Sequence, residues 1–313
     1  MFSPEVTFGV IFLVQTTVGI LGNFSLLYHN IFLYFSGCSS RSTDLILRHL
    51  TIANSMVSLA KGIPQTMAAF GLKDFLNDFG CKSLLYVHRV GRGVSIGSTC
   101  LLSIFQAITI SPSNSRWTEL KAKATRYLGF SLFLCWLLHM LVNIIFPIYL
   151  TSNWDNKTII NKKDFGYCSS VRHDKTTYSL HSFLLSFPDA VSLVLMLWAS
   201  GTMVFILHRH KQRLRHIHRS NVSPRSSPET RATHTILVLV STFVSFYTLS
   251  IIFQALLASL FHPSWWVVHI AALTAAGYPT ISPFVLINRD PNFTRFCFAG
   301  IKKTKSPHLI RDT

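Results

Sequence analysis

ATHTILVLVSTFVSFYTLSIIFQALLASL, running from Ala232 to Leu260, contains no Asp, Glu, Lys or Arg. A helix of about 20 predominantly apolar residues crosses roughly 30 Å of hydrocarbon at about 1.5 Å per residue. This stretch is long enough, and it predicts a membrane span. Outward from it, six further blocks qualify: Val6 to His29, Asp44 to Phe70, Lys82 to Ile108, Arg126 to Leu150, Ser179 to Leu207 and Trp265 to Ile287. The expectation is an all-α membrane protein, a seven-transmembrane helix bundle over residues 1–290, followed by a short basic tail over 291–313. The first span has no basic residue before it, unlike a cleaved signal peptide, and reads as a retained signal anchor.

Composition agrees. Of 313 residues, 49% are hydrophobic and 13% charged, against roughly 25% charged in soluble domains. The formal charge is +17, a value that in a soluble chain suggests nucleic acid. Its placement argues otherwise. With the N-terminus outside, nineteen of the 29 Lys and Arg fall in the connections on one side and in the tail, seven in the opposite loops, and three inside spans. Cytoplasmic loops carry such an excess, so the bias sets an outside N-terminus and a cytoplasmic C-terminus. It implies attraction to anionic inner-leaflet lipid rather than to nucleic acid.

On that map Cys38 and Cys297 are cytoplasmic, Cys100 and Cys135 lie in spans, and Cys81 and Cys168 face the oxidising exterior. Cys81 and Cys168 are therefore expected to form a disulfide that ties the loop from Thr151 to Tyr178 to the outer end of the third span. Asn156-Lys157-Thr158 in that loop is an exterior glycosylation sequon. The sequons at Asn23, Asn221 and Asn292 fall in the membrane or the cytoplasm and are expected to stay bare. Cys297 is placed where a juxtamembrane cysteine can be palmitoylated.

Enzyme chemistry finds little support. Walker and HExxH patterns are missing, and Gly91-Arg92-Gly93 is followed by Ile96 where a dinucleotide fingerprint needs glycine. Those glycines sit in a span, where small residues let helices approach closely. His208/His210 and His216/His218 are flanked by arginines that repel a cation, so no metal and no cofactor is expected. Catalytic residues are not assigned.

Charges inside spans are costly and need a reason. They are Lys61, Arg89, Arg92 and Asp189, with His88 beside them. His88 and Arg92 are four apart and share a helix face. Counting from the helix ends puts Arg92 and Asp189 at similar depth, so Arg92 or Arg89 is expected to pair with Asp189 beside a cavity open to the outside. Lys61, near the outer end of the second span, is expected to snorkel to the interface. Gln254 and His269 are further pocket candidates, whereas Phe243, Phe246 and Tyr247 read as packing. The sixth span has no proline between Ala232 and Leu260, so a proline hinge there is excluded.

Several of these stretches resemble a known family. Leu50-Thr51-Ile52-Ala53-Asn54-Ser55, Lys61-Gly62-Ile63-Pro64-Gln65-Thr66-Met67, His88-Arg89-Val90-Gly91-Arg92-Gly93, Ser98 to Ser103, Gln106 to Pro112, Phe187-Pro188-Asp189 and Ser282 to Ile287 are similar to vomeronasal type-1 receptors, pheromone-sensing G protein-coupled receptors. The similarity covers essentially the whole chain, and Cys81, Cys168 and Asn156 fit it. Set against rhodopsin-like receptors in general, Asn54 stands where an acid is usual, Ser282-Pro283 replaces Asn-Pro, and Ser103 to Ala107 offers no acid-arginine pair. Whatever holds the inactive state uses other contacts.

The resemblance implies a multi-pass plasma-membrane receptor for a small, often volatile, pheromone-like molecule, activating a heterotrimeric G protein of inhibitory type. His88, Arg89, Arg92, Asp189, Gln254 and His269 are the ligand candidates. Arg116, Lys121, Lys123, Arg209, Lys211, Arg213 and Arg215 are the candidates for the G-protein-facing surface. A bitter-taste-type receptor is the alternative within receptors, and a small-solute transporter the alternative outside them, which inverted repeats would favour and none is visible.

Overall fold

The structure is a computed structural model describing residues 4–35, 42–72, 75–111, 115–144, 150–151, 162–164, 169–171, 175–217, 228–259 and 264–288. Its helices are Pro4–Phe35 (first), Ser42–Val57 continued by a π-helical turn Ser58–Gly62 and by Ile63–Ala69 (together the second), Asp78–Ile110 (third), Ser115–Asn143 (fourth), Lys175–Ile217 (fifth), Pro228–Ser259 (sixth) and Trp265–Ile287 (seventh). Six are individually long and apolar enough to cross a membrane. The second is the exception because it is interrupted.

The interruption has a local cause. Pro64 has no N–H to give to the Ala60 carbonyl, and its ring crowds that carbonyl. The helix widens to a π turn over Ser58–Gly62, a device that absorbs such strain and re-aims the side chains around it. The third helix starts at a defined cap, where the Asn77 side chain accepts from the Gly80 N–H at 2.8 Å.

Boundaries depart from the sequence expectation in the fourth helix. It starts at Ser115 rather than Arg126, because the Lys, Arg, Glu and Ala of that stretch are good helix formers. It ends at Asn143 rather than near Leu150. Pro147 cannot continue the ladder, and a proline disfavours helical conformation in the residue before it. Leu150 instead belongs to a strand. β1 (Leu150–Thr151), β2 (Lys162–Asp164) and β3 (Ser169–Val171) form an antiparallel sheet in the order β1-β3-β2, with Leu150 opposite Ser170 and Lys163 also opposite Ser170 from the other side. The sheet packs on the third helix.

The third helix is the centre of the bundle, packed most closely on the second and fifth; the seventh joins the sixth to the first. Ile46, Leu50, Ile96, Leu102, Leu132, Met196, Met203, Ile236 and Leu239 are fully buried between helices. Outward faces are as apolar as the interior: Leu13, Leu21, Phe130, Phe133, Val194, Trp198 and Phe205 are exposed. In water such a surface would be a liability; against lipid it is the required one. Several hydroxyls on these helices donate within their own helix, as where Ser55 and Thr99 donate to the carbonyls of Thr51 and Ser95 at 2.8 Å.

Gly93 fulfils the expected role in packing. A Cβ there would collide with the His139 ring on the fourth helix, so only glycine lets that ring sit against the third helix.

Candidate functional site

A cavity of about 40 Å³ lies between the second, third, sixth and seventh helices. Val57, Phe243, Phe246 and Pro279 supply apolar walls, Ser95, Ser250, Thr274 and Tyr278 hydroxyls, and Arg92 its charge. Its apolar lining with a few convergent polar groups is the usual character of a small-molecule site. Arg92, a ligand candidate from the sequence, is one of the residues lining it. Phe243, Phe246 and Tyr247, which read from the sequence as packing, also line the cavity, and the same residues do both jobs: Phe243 stacks on Tyr247 and meets Tyr278 edge-on at 4.8 Å.

On the sheet side of this cavity the charged groups converge. Arg92 and Asp189 each lie fourteen residues from the start of their helices, about 21 Å along the axis. Asp189 interacts electrostatically with Arg92 first and Arg89 second. The Arg92 guanidinium sits 5.2 Å from the centroid of the Tyr247 ring, a cation-π arrangement. Lys61 lies in the π turn, half-buried, and interacts electrostatically with Arg92 and His88. His88 Nε2 is buried with no hydrogen-bond partner.

His269 differs from expectation. It stacks on Phe8 at 5.0 Å and leans against Phe12 at 5.7 Å, both on the first helix, and does not line the cavity. An aromatic ring one turn into the seventh helix meets the neighbour that helix packs on, and for this helix the neighbour includes the first. Gln254 lies on the sixth helix with its side chain outside the described residues. Cys168 and Asn156 also lie outside them. Cys81 is fully buried and disulfide-bonded; Cys100 and Cys135 are free thiols.

Toward the middle of the bundle neutral polar groups pair across helices, although Ser98 Oγ and Asn23 Oδ1 are buried without a hydrogen-bond partner. Ser95 Oγ donates to Asn54 Oδ1 at 2.6 Å, and Asn54 Nδ2 donates to Ser282 Oγ at 2.8 Å. Three helices are thereby joined through one amide. The Thr99 and Tyr278 hydroxyls share a hydrogen bond of 2.8 Å between the third and seventh helices. Pro283 has no N–H, so the Pro279 carbonyl loses its helical donor. Asn23 Nδ2 on the first helix replaces it at 2.8 Å. Ser95 and Tyr278 belong to both regions, lining the cavity and anchoring these bonds. Asn54 and Ser282 stand out in the sequence as departures from rhodopsin-like receptors, but no sequence signal joins them.

At the opposite end from the sheet, Lys121 Nζ donates to the Ser111 carbonyl at 2.9 Å, closing the end of the third helix. Lys123 pairs with Glu119 at 2.6 Å on the exposed face, and Arg209 lies over the Phe205 ring at 5.4 Å. The side chains of Arg116, Lys211, Arg213 and Arg215 lie outside the described residues.

The family model of the vomeronasal organ pheromone receptors matches residues 6–299. The human protein Vomeronasal type-1 receptor 2 is 60% identical over 285 residues, 91% of this chain and 72% of that one. Human Vomeronasal type-1 receptor 4 is 56% identical over 299 residues, 96% and 99% of the two chains. Among solved structures, squid rhodopsin superposes with a TM-score of 0.69 at 19% identity, covering 100% of this chain and 90% of that one. That likeness establishes the seven-helix fold.

Proposed function

Since the chain belongs to the vomeronasal organ pheromone receptor family, and is a multi-pass membrane receptor of G protein-coupled architecture, we propose that it senses a small, pheromone-like, often volatile molecule and activates an inhibitory-type heterotrimeric G protein. The N-terminus and the sheet face the exterior; the basic connections face the cytoplasm. Cys81 pairs with Cys168, and Asn156 is glycosylated.

One observation carries the reading: Ser95 and Tyr278 line the cavity and also hold the hydrogen bonds that join the second, third and seventh helices. A ligand between Arg92, Tyr247 and Tyr278 touches groups whose partners run directly toward the inner half. It can shift the equilibrium between receptor states only through its differential affinity for them. Altered pairing at Asn54 and Ser282 then changes how the inner ends are spaced. Arg116, Lys121, Lys123, Arg209, Lys211, Arg213 and Arg215 supply basic surface to the G protein there.

The test is ligand-stimulated nucleotide exchange on inhibitory-type G protein, in membranes holding the glycosylated chain, against a panel of volatile compounds. A saturable response that is lost on Tyr278→Leu supports the reading. Silence from a surface-displayed chain across the panel, or a response carried only by a different G protein class, contradicts it.

A further inference from the structure

The receptor reading leaves open which chemistry the cavity selects, and the charges around it bear on that choice. Deep in the sheet-side half of the bundle, the acidic side chain set against the cations is Asp189. Against it stand Lys61 and Arg92, with Arg89 nearby. Even if Asp189 is assigned entirely to Arg92, the charge of Lys61 remains. These cations are not dispersed: Lys61 on the second helix acts electrostatically on Arg92 on the third, and both act on His88. Like charges brought together in a low-dielectric interior oppose folding unless something of opposite sign offsets them.

Three features show where that something would sit. Arg92 is a wall of the cavity. Its guanidinium is held in place over the Tyr247 ring at 5.2 Å, which orients its fork of donors without neutralising it. One turn toward the sheet on the same helix face, His88 Nε2 is buried without a hydrogen-bond partner. Val57, Phe243, Phe246 and Pro279 are apolar walls, and Ser95, Ser250, Thr274 and Tyr278 add neutral hydroxyls. A planar oxyanion matches a guanidinium bidentately, and the apolar walls match a short hydrocarbon body.

Resting on the receptor reading for its location, we infer that this cavity is a site for a small apolar molecule ending in a carboxylate, bound with its charged end on Arg92 and Lys61 and its hydrocarbon end toward Phe243 and Phe246. Asp189 then tunes the site, by drawing part of the positive charge toward the fifth helix. A neutral alcohol of the same skeleton fills the same space but leaves the cations uncompensated, so it binds more weakly.

The experiment compares sodium propanoate with propan-1-ol on the purified full-length chain in nanodiscs of neutral lipid, following thermal unfolding by tryptophan fluorescence with sodium chloride as the ionic control. Propanoate is expected to raise the melting temperature saturably, and propanol much less at equal concentration. Arg92→Gln and Lys61→Gln are each expected to weaken the apparent propanoate affinity at least tenfold, while Arg92→Lys, which keeps the charge, loses less. Equal stabilisation by propanoate and propanol, by chloride alone, or by propanoate on both neutralised variants that still melt cooperatively would overturn the inference. Nucleotide exchange driven by propanol and not propanoate overturns the anion class while leaving the receptor reading intact. Propanoate binding with no exchange on any inhibitory-type G protein overturns the coupling and leaves the site.

Discussion

The sheet-side half of the bundle and its middle manage polar groups in opposite ways. Near the sheet, Arg92 and Arg89 act on Asp189, and Lys61 and His88 act on Arg92, so charged and titratable groups gather there. In the middle, Ser95, Asn54, Ser282, Thr99, Tyr278 and Asn23 are uncharged and hydrogen-bonded across helices. Charge costs much to bury and acts over several ångströms, so a concentration of it suits a place that awaits a partner from outside. Neutral hydrogen bonds are short-ranged and contribute little each, about 0.6 kcal/mol in membranes, so they can be exchanged when helices shift. The two halves therefore suit recognition and transmission respectively, and Ser95 and Tyr278 are where they touch.

The largest effect that can break this division is at Asp189. Asp189→Asn removes the carboxylate facing two arginines and is expected to lower stability by about 3 kcal/mol, since stranding a buried charge is far costlier than the pair is worth. Adding Arg92→Gln should restore part of it; restoration by Arg89→Gln instead would reassign the pair, and strict additivity in melting temperature would show that neither arginine pairs with Asp189. In the neutral region, Asn54→Leu leaves the Ser95 and Ser282 hydroxyls without their shared amide and is expected to cost about 1–3 kcal/mol. Unlike the Asp189 effect it should not vary with salt, and a salt-dependent loss would blur the distinction between the halves. The smallest change is Thr99→Val, similar in shape, which removes the bond to Tyr278 and should lower stability by about 0.6 kcal/mol, resolved by comparing melting curves with those of Thr99→Ser.

Charge and apolar run length are the features that the sequence makes plain. Spans are legible because about 20 apolar residues in a row have few other uses. Intramembrane charges stand out for the complementary reason, and Arg92 can be placed at the cavity because a charge there must be explained. The neutral contacts lack any such signal. Ser95 and Tyr278 are ordinary helix residues until a partner on another helix is known, and Phe243 and Phe246 look like packing because they are packing. Helix continuity is hidden where proline acts at a distance: Pro64 produces the π turn that contains Lys61, and Pro147 lies beyond the last turn that ends at Asn143. His269 faces the first helix because helix rotation is set by neighbours, a property that spacing along one chain does not carry.

The central claim, that neutral bonds across helices hold the receptor's state, is tested most directly without any ligand. Basal nucleotide exchange would be compared for Ser282→Ala, which severs the bond from Asn54 on another helix, and Ser245→Ala, which removes a hydroxyl bonded only to Ser241 of its own helix. The account predicts that Ser282→Ala changes the basal rate by about threefold, the population shift for about 0.6 kcal/mol, and that Ser245→Ala leaves it at the wild-type value. Equal rates in the two variants at matched surface expression would contradict it.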